Sequence, residues 1–213
     1  MPVVSGSSGR AVADILAPLL DMQHVPLLSR KFPDGEGYVR VPSDAIESVR
    51  CEPVVLVSNT YPDSGILETI LLLKAIGDVR KGDLSNYKGK EPQKLPDVGS
   101  EVYLAIPYYG YSRQDKRFSP GEAISARVIG EMLANYCDGM VILDLHAPEV
   151  LKEISVPVEF VSSMPEIADR LRSEVNPDFV LSPDKGAIDR AKEVATIGGW
   201  EFSYLEKTRI DAH

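Results

Sequence analysis

Hydrophobic and polar positions along the chain predict strands and helices in turn. Short apolar runs, such as residues 2–5 and 102–106, have the length and the β-branched content of buried strands. Longer stretches, such as residues 10–20 and 66–79, repeat apolar side chains with a helical period. The same alternation continues through residues 140–204. Strands that alternate with helices in this way indicate an α/β protein with a mainly parallel sheet.

The clearest strand–helix unit lies at residues 102–136. Ser119 and Glu122 have the spacing of a capping box, and the proline between them suits a first helical position, so we expect a helix to begin there. Apolar residues then recur every four positions and make one helix face apolar: Ile124, Val128, Met132 and Tyr136. Residues 108–118, the Arg113 loop, precede this helix and follow the carboxyl end of a strand, where open α/β sheets bind ligands.

The Arg113 loop is rich in cations. Arg113, Lys116 and Arg117 lie within five residues that contain one anion, Asp115. This charge suits an anionic ligand, although from composition alone a solvated basic loop is the simpler interpretation. The whole chain has a net charge of −9, from 23 Lys and Arg against 32 Asp and Glu, so a general nucleic-acid surface is not expected.

Composition and cysteine content indicate an ordinary globular protein. The 213 residues are 44% hydrophobic and 26% charged. Cys51 and Cys137 match no metal-ligand spacing, which fits a reducing cytosol. We see no apolar run long enough to cross a membrane and no signal peptide before the first strand, and therefore expect a cytoplasmic protein. Residues 6–9, GSSG, form either a plain strand-to-helix turn, which we favour, or a phosphate cradle.

Residues 111–125, YSRQDKRFSPGEAIS, resemble the ATP-binding signature of ribose-phosphate pyrophosphokinases, also called phosphoribosyl pyrophosphate synthetases. The similarity is greatest to the archaeal branch and runs without a gap for about fifteen residues. This family makes phosphoribosyl pyrophosphate from ATP and ribose 5-phosphate. The resemblance implies that Arg113 and Gln114 contact the nucleotide.

A second similarity lies at residues 31–36, KFPDGE. Pro-Asp-Gly is turn chemistry, so a hairpin tip is the simplest interpretation. The family carries F-x-D-G-E here, which implies that Phe32 stacks on adenine while Asp34 and Glu36 help to read its amino group or the ribose. In the family this loop reaches the site from a neighbouring subunit. The resemblance therefore implies a homodimer or higher homo-oligomer with a shared ATP site.

Further similarities concern metal and phosphate. DLHAPE, at residues 144–149, implies that His146 is a ligand of the Mg²⁺ that bridges the ATP phosphates; a hydrogen-bonded structural histidine is the alternative. SPDKG, at residues 182–186, places Asp184 near magnesium and the ribose hydroxyls, unless it only caps a helix. Lys207 and Arg209 correspond to the start of a flexible catalytic loop over the transferred phosphates, although Lys-x-Arg is by itself unremarkable.

The resemblance implies two Rossmann-like domains of the phosphoribosyltransferase type with mainly parallel sheets. We expect the first at residues 1–144 and the second, which is incomplete, at residues 145–213. The family's acidic pair followed by Thr-Gly-Gly-Thr, which binds ribose 5-phosphate, is not found in these 213 residues. We therefore expect the 213-residue chain alone to be inactive. Residues 80–100 form a polar surface insertion that is longer than the family usually has.

The activity implied is ribose-phosphate diphosphokinase, which transfers the β,γ-diphosphate of ATP to the 1-hydroxyl of ribose 5-phosphate with Mg²⁺. Two alternatives stay open. One is a non-catalytic, nucleotide-binding regulatory member of the family, which the missing ribose-phosphate loop favours and the retained Arg113, His146, Lys207 and Arg209 argue against. The other is a phosphoribosyltransferase of similar fold, which needs the acidic-pair loop and does not need the ATP signature. Neither nucleic acid nor membrane is an expected partner.

Overall fold

The computed structural model describes residues 1–84, 95–99 and 101–206. They form an α/β fold in two compact units, Met1–Val161 and a second that begins at Ser162. The expected fold class, with a mainly parallel sheet, is confirmed. None of the helices in the described residues is long and apolar enough to cross a membrane.

The first unit is built on a six-stranded sheet whose neighbouring strands all run parallel. In spatial order the strands are β2 (His24–Pro26), β1 (Val3–Ser5), β5 (Val54–Val57), β6 (Val102–Ile106), β7 (Gly139–Leu143) and β8 (Val158–Val161). The chain continues from β1 to β2 on one side, and β5 to β8 follow on the other. The loops that follow β5, β6 and β7 therefore lie side by side at the carboxyl edge of the sheet.

Helices cover both faces of this sheet. They are α1 (Arg10–Leu19), α2 (Ile46–Cys51), α3 (Asp63–Arg80) and α4 (Ser125–Ala134). Val3 packs with Ala13 and Ala17 of α1, whereas Val4 belongs to the larger core that includes Leu72 of α3. Successive residues of a strand face opposite sides, which explains why both valines of β1 are fully buried.

Helix α4 begins at Ser125, so the expected start at Ser119 is wrong. The Glu122 carboxylate does accept the N–H groups of Phe118 and Ser119, at 2.6 and 3.0 Å, which is half of the expected capping interaction. Gly121, however, has a φ of +86°, and a right-handed helix cannot pass through that conformation. The bonds to Glu122 therefore close a loop.

The apolar face expected on α4 is largely exposed in the single chain. Val128, Met132 and Tyr136 are 45%, 40% and 42% exposed. The positions buried against the rest of the unit are small or branched: Ala126, Gly130, Leu133 and Ala134. A Cβ on Gly130 would lie 2.5 Å from the side chain of Leu151, so the small residues allow the helix to approach its neighbours closely.

Strands β3 (Leu28–Lys31) and β4 (Gly37–Arg40) form a separate antiparallel hairpin. The Phe32 and Tyr38 rings meet edge to face with centroids 5.6 Å apart. The Arg30 guanidinium lies over both rings, 4.8 and 4.6 Å from their centroids. Strand β4 also contacts α3, which gives a two-stranded hairpin the packing partner that it needs.

The second unit contains α5 (Met164–Glu174), β9 (Phe179–Ser182), α6 (Ile188–Gly198) and β10 (Glu201–Tyr204). The two strands pair in parallel, and the core residues of this unit are Met164, Ala168 and Val194. Strand β8 pairs with β7 in the sheet of the first unit. The domain division expected between residues 144 and 145 stays a prediction.

Candidate functional site

The Arg113 loop is fastened to the loop that follows β5. The Tyr108 N–H donates to Asn59 Oδ1 at 3.0 Å, and the Thr60 N–H donates to the Tyr108 carbonyl at 3.1 Å. The Gly110 N–H in turn donates to Thr60 Oγ1 at 2.8 Å. Thr60 is buried, so the bond that it accepts from Gly110 is shielded from competing water. Together they fix the backbone that leads to Arg113.

Gly110 and Tyr111 occupy positions that few residues tolerate, Gly110 because of a close neighbour and Tyr111 because of its backbone conformation. A Cβ on Gly110 would lie 2.1 Å from the Thr60 carbonyl oxygen, so the close approach of the two loops requires glycine. Tyr111 has a φ of +60°, which is uncommon for a bulky side chain. Its hydroxyl donates to Asp63 Oδ1 at 2.8 Å, and this hydrogen bond raises the pKa of the Tyr111 phenol.

The three cations of the Arg113 loop have different environments. Arg117 Nε donates to the Glu122 carbonyl at 2.9 Å, and the Lys116 ammonium lies 5.5 Å from the centre of the Phe118 ring. The Arg113 side chain is exposed and makes no hydrogen bond or ion pair with any residue that the structure describes. Arg113 is therefore available to an anionic ligand, as a ligand-binding arginine should be.

Gln114 is held more firmly than Arg113. Its N–H donates to the Tyr111 carbonyl at 2.9 Å, and its side-chain amide donates to the Ala123 carbonyl at 3.4 Å. The Gln114 carbonyl accepts the N–H of Ala126, in the first turn of α4, at 3.3 Å. The loop is thus anchored at both ends while the Arg113 side chain stays accessible.

His146 lies just beyond the carboxyl end of β7 and is exposed. Because β6 and β7 are neighbours, His146 and the Arg113 loop share one edge of the sheet. Among the described residues, no cluster of three or more His, Cys, Asp or Glu could hold a metal ion. Mg²⁺ in phosphate-transfer sites binds mainly to phosphates and water, with one or two protein ligands. A single exposed imidazole at this edge fits an ion that arrives with a phosphorylated ligand.

The hairpin tip carries the other predicted nucleotide contacts. The Phe32 N–H donates to the Glu36 carbonyl at 2.8 Å, and Asp34 Oδ1 accepts the Glu36 N–H at 3.1 Å. Asp34 and Glu36 line a cleft of about 780 Å³ between the hairpin and α3. Arg113 and His146 are not among the residues that line this cleft.

The remaining predicted residues lie at the end of the chain. Asp184 Oδ1 accepts the Gly186 N–H at 2.9 Å and caps the short 3-10 helix Lys185–Ala187, as the capping interpretation predicts. A role of the same carboxylate near metal or ribose stays a prediction. Lys207 and Arg209 lie outside the described residues, and their roles are likewise predictions.

Comparison with known proteins points to one family. A family profile described as the N-terminal domain of ribose phosphate pyrophosphokinase matches residues 98–136, which contain the Arg113 loop and α4. The ribose-phosphate pyrophosphokinase of Methanothermobacter thermautotrophicus is 36% identical over 211 residues, 98% of this chain and 66% of the relative. That of Methanopyrus kandleri is 36% identical over 213 residues, 99% of this chain and 66% of the relative.

The chain belongs to the ribose-phosphate pyrophosphokinase family. A solved structure of this family, the phosphoribosylpyrophosphate synthetase from Mycobacterium smegmatis, superposes with a TM-score of 0.75 at 25% identity. The match covers 98% of this chain and 64% of the solved one. The chain therefore spans about two thirds of the length of the pyrophosphokinases that it resembles.

Two polar features of this pyrophosphokinase-family chain could not be found from its sequence. His24 bonds Ser5 Oγ through Nε2 and Asp14 Oδ1 through Nδ1, both at 2.8 Å. These three residues, the His24 cluster, have the connectivity of a catalytic triad. Ser5 is fully buried, however, so its hydroxyl cannot reach a substrate. The cluster joins β1, β2 and α1 and has a structural role.

The polar groups of the GSSG turn also have partners within the protein. The N–H and the hydroxyl of Ser7 both donate to the Glu68 carboxylate of α3, at 2.5 and 2.6 Å. A protein carboxylate thus takes the place that a phosphate would need. This agrees with the plain strand-to-helix turn favoured from the sequence.

Proposed function

We propose that the protein is a ribose-phosphate diphosphokinase, which converts ATP and ribose 5-phosphate into phosphoribosyl pyrophosphate and AMP. The observation that carries the proposal is the exposed Arg113, without a protein partner among the described residues, on a hydrogen-bonded loop at the same edge of the sheet as His146. The names of relatives that match 98% of the chain support the same activity.

The chemistry is an in-line displacement on the β-phosphorus of ATP. The 1-oxygen of ribose 5-phosphate forms a bond to that phosphorus while the bond to the oxygen bridging the α-phosphorus breaks. AMP leaves with the electron pair, and the hydroxyl proton passes to solvent. Such transfers depend on positioning and charge neutralisation and need no protein nucleophile. Arg113 and Gln114 would hold the nucleotide, and Lys207 with Arg209 would stabilise the charge that develops on the phosphates.

His146 and Asp184 are the residues proposed to hold Mg²⁺, and Asp184 would also orient the ribose hydroxyls. When bound, the ion neutralises phosphate charge and draws the triphosphate into one conformation. The exposed imidazole at the carboxyl edge of the sheet supports this assignment. The Asp184 carboxylate uses Oδ1 for its cap to Gly186, which leaves an acceptor oxygen for a further partner.

The proposal includes a second copy of the chain. Phe32, Asp34 and Glu36 would read adenine beside Arg113 of the neighbouring subunit. An exposed hairpin tip that lies outside the main sheet supports this arrangement, because it can reach another molecule. A homodimer would then be the smallest unit with a complete ATP site. ATP and ribose 5-phosphate are abundant in the cytoplasm, where we place the protein.

The test is AMP release from ATP, ribose 5-phosphate and Mg²⁺ by the protein as its gene encodes it. We expect Lys207→Ala to lower kcat by roughly a hundred- to thousandfold, as the loss of one preorganised charge does elsewhere. The matched control is Lys152→Ala, which removes an exposed lysine directly after the 3-10 helix Pro148–Leu151 and should leave kcat unchanged. Tight ATP binding without any AMP release would instead identify a non-catalytic regulatory member.

A further inference from the structure

The backbone at Tyr111 is held in a conformation that its side chain disfavours. Its φ of +60° lies in the left-handed region, where a tyrosine is uncommon. Such residues persist only where the surrounding structure imposes them, and they concentrate at ligand-binding loops. Tyr111 precedes Arg113 by two positions in the sequence. A change in the Tyr111 backbone would therefore redirect the part of the loop that carries Arg113.

Two bonds join Tyr111 to the rest of the first unit. Its carbonyl accepts the N–H of Gln114 at 2.9 Å, so the Tyr111 backbone fixes Gln114 directly. Its hydroxyl donates to Asp63 Oδ1 at 2.8 Å. Asp63 is the first residue of α3, and a carboxylate is stabilised at a helix N-terminus. The tyrosine is thus tied to α3, the longest helix that the structure describes in this unit.

Global stability does not account for this hydroxyl–carboxylate bond. Tyr111 and Asp63 are both exposed, and a hydrogen bond between exposed groups contributes little to the free energy of unfolding. The neighbouring anchors, from Asn59 and Thr60 to Tyr108 and Gly110, already join the two loops. The Tyr111–Asp63 bond lies one residue beyond those anchors, and it therefore restrains the backbone between Gly110 and Arg113.

We propose that Tyr111 and Asp63 are positioning residues that set Arg113 and Gln114 for the nucleotide. This inference rests on the proposed function, because it assigns to the pair an effect on ATP binding. Loss of the bond allows Tyr111 to relax towards negative φ. This moves the carbonyl that holds Gln114 and points the Arg113 side chain away from the nucleotide. Neither residue touches the nucleotide in this arrangement.

The test compares ATP affinity with thermal stability in the full-length protein. Tyr111→Phe keeps the ring and removes the donor, Asp63→Ala removes the acceptor, and Asp63→Asn keeps an acceptor oxygen without the charge. Isothermal titration with ATP and Mg²⁺ should show about three- to tenfold weaker binding for the first two variants, the size expected for one hydrogen bond within a protein. Asp63→Asn should recover most of the affinity, and all three melting temperatures should stay near that of the wild type.

The double variant and a control complete the test. Tyr111→Phe with Asp63→Ala should bind ATP no more weakly than either single variant, because both remove the same bond. Tyr103→Phe, a hydroxyl loss on β6 away from the loop, should bind as the wild type does. Unchanged affinity in Tyr111→Phe, or additive losses in the double variant, would overturn the inference. Failure of the wild type itself to bind ATP would instead overturn the proposed function.

Discussion

The His24 cluster and the Arg113 loop both collect polar side chains in the first unit, and they differ in how completely those side chains are bonded. Both ring nitrogens of His24 have partners within the protein, at 2.8 Å each, and Ser5 is fully buried. The Arg113 guanidinium has no partner among the residues that the structure describes. The backbone around Arg113 is nevertheless fixed by buried hydrogen bonds to Thr60.

Whether a polar side chain already has partners within the protein distinguishes a structural role from a ligand-binding role better than its residue type does. Ser, His and Asp are the residues of a catalytic triad, yet here their hydrogen bonds are satisfied internally and no substrate can reach the serine. A lone arginine is a weaker motif, but a fixed backbone that presents a free cation is what recognition of an anionic ligand needs. Four expected outcomes test this distinction, in order of decreasing effect.

The largest effect is expected when the free cation is removed. Arg113→Ala should lower kcat/KM for ATP by about a hundredfold, as the loss of one preorganised donor at a charged centre does. The free energy of unfolding should not change, because no described residue loses a partner. Lys116→Ala, in the same loop, is the matched control and should stay close to the wild type. Equal losses in the two variants would mean that the loop acts only through its total charge.

The second effect concerns the backbone that presents Arg113. Gly110→Ala places a Cβ 2.1 Å from the Thr60 carbonyl oxygen and must push the two loops apart. We expect a loss of about 1–3 kcal/mol in the free energy of unfolding, as for other overpacked sites, together with weaker ATP binding. Urea unfolding and titration with ATP measure the two. The matched control is Gly77→Ala, which adds a Cβ that has no neighbour within 4 Å and should therefore not destabilise the protein or weaken ATP binding.

The third effect falls on stability alone. Ser5→Ala removes the partner of His24 Nε2 and should cost about 1 kcal/mol of unfolding free energy, with ATP affinity unchanged. The control, Ser43→Ala, alters an exposed serine and should stay within about 0.5 kcal/mol. Loss of activity at full stability in Ser5→Ala would contradict the structural role assigned to the His24 cluster.

The smallest effect is a pH dependence of the loop before α4. The N–H groups of Phe118 and Ser119 hold the pKa of Glu122 below its ordinary value of 4.5. A lowered pKa means that the carboxylate supports the loop fully above pH 4.5 and loses this support as the pH falls through its value in the folded protein. The protection of the Phe118 and Ser119 amides against exchange, measured relative to the intrinsic rate at each pH, should fall over that range. Glu122→Gln should abolish the pH dependence, and an unaltered profile in that variant would refute the assignment.

How much the sequence could predict depends on how local the decisive interactions are. Val102–Ile106 is an apolar run that ends at a proline, and the structure has β6 at those residues. The predicted start of α4 was wrong. Ser119, Pro120 and Glu122 are residue types that begin helices, but the positive φ of Gly121 prevents a helix there. A capping pattern shows that a segment could begin a helix, but the conformation of the neighbouring residues determines whether it does.

The candidate site was likewise predictable where its features are local in the sequence and not where they depend on distant residues. Resemblance and position at the carboxyl end of a strand were enough to identify the Arg113 loop as a candidate. The residues that hold this loop were not found, because Thr60 lies 50 residues from Gly110 and Asp63 lies 48 residues from Tyr111. Side chains of ordinary type that meet across such distances leave no periodic pattern. They become visible only once the sheet has brought the two loops together.

The order of strands in the sheet also has a consequence for synthesis of the chain. Strand β1 is synthesised before both of its neighbours, which are β2 and the much later β5, with Val3 paired to Val55. At translation rates of about 5–20 residues per second, the 52 residues between those partners (55 − 3) take roughly 3–10 s to make. Over that interval the valines of β1 lack the strand that buries them. Until β5 has been made, β1 is thus open to pairing with other chains.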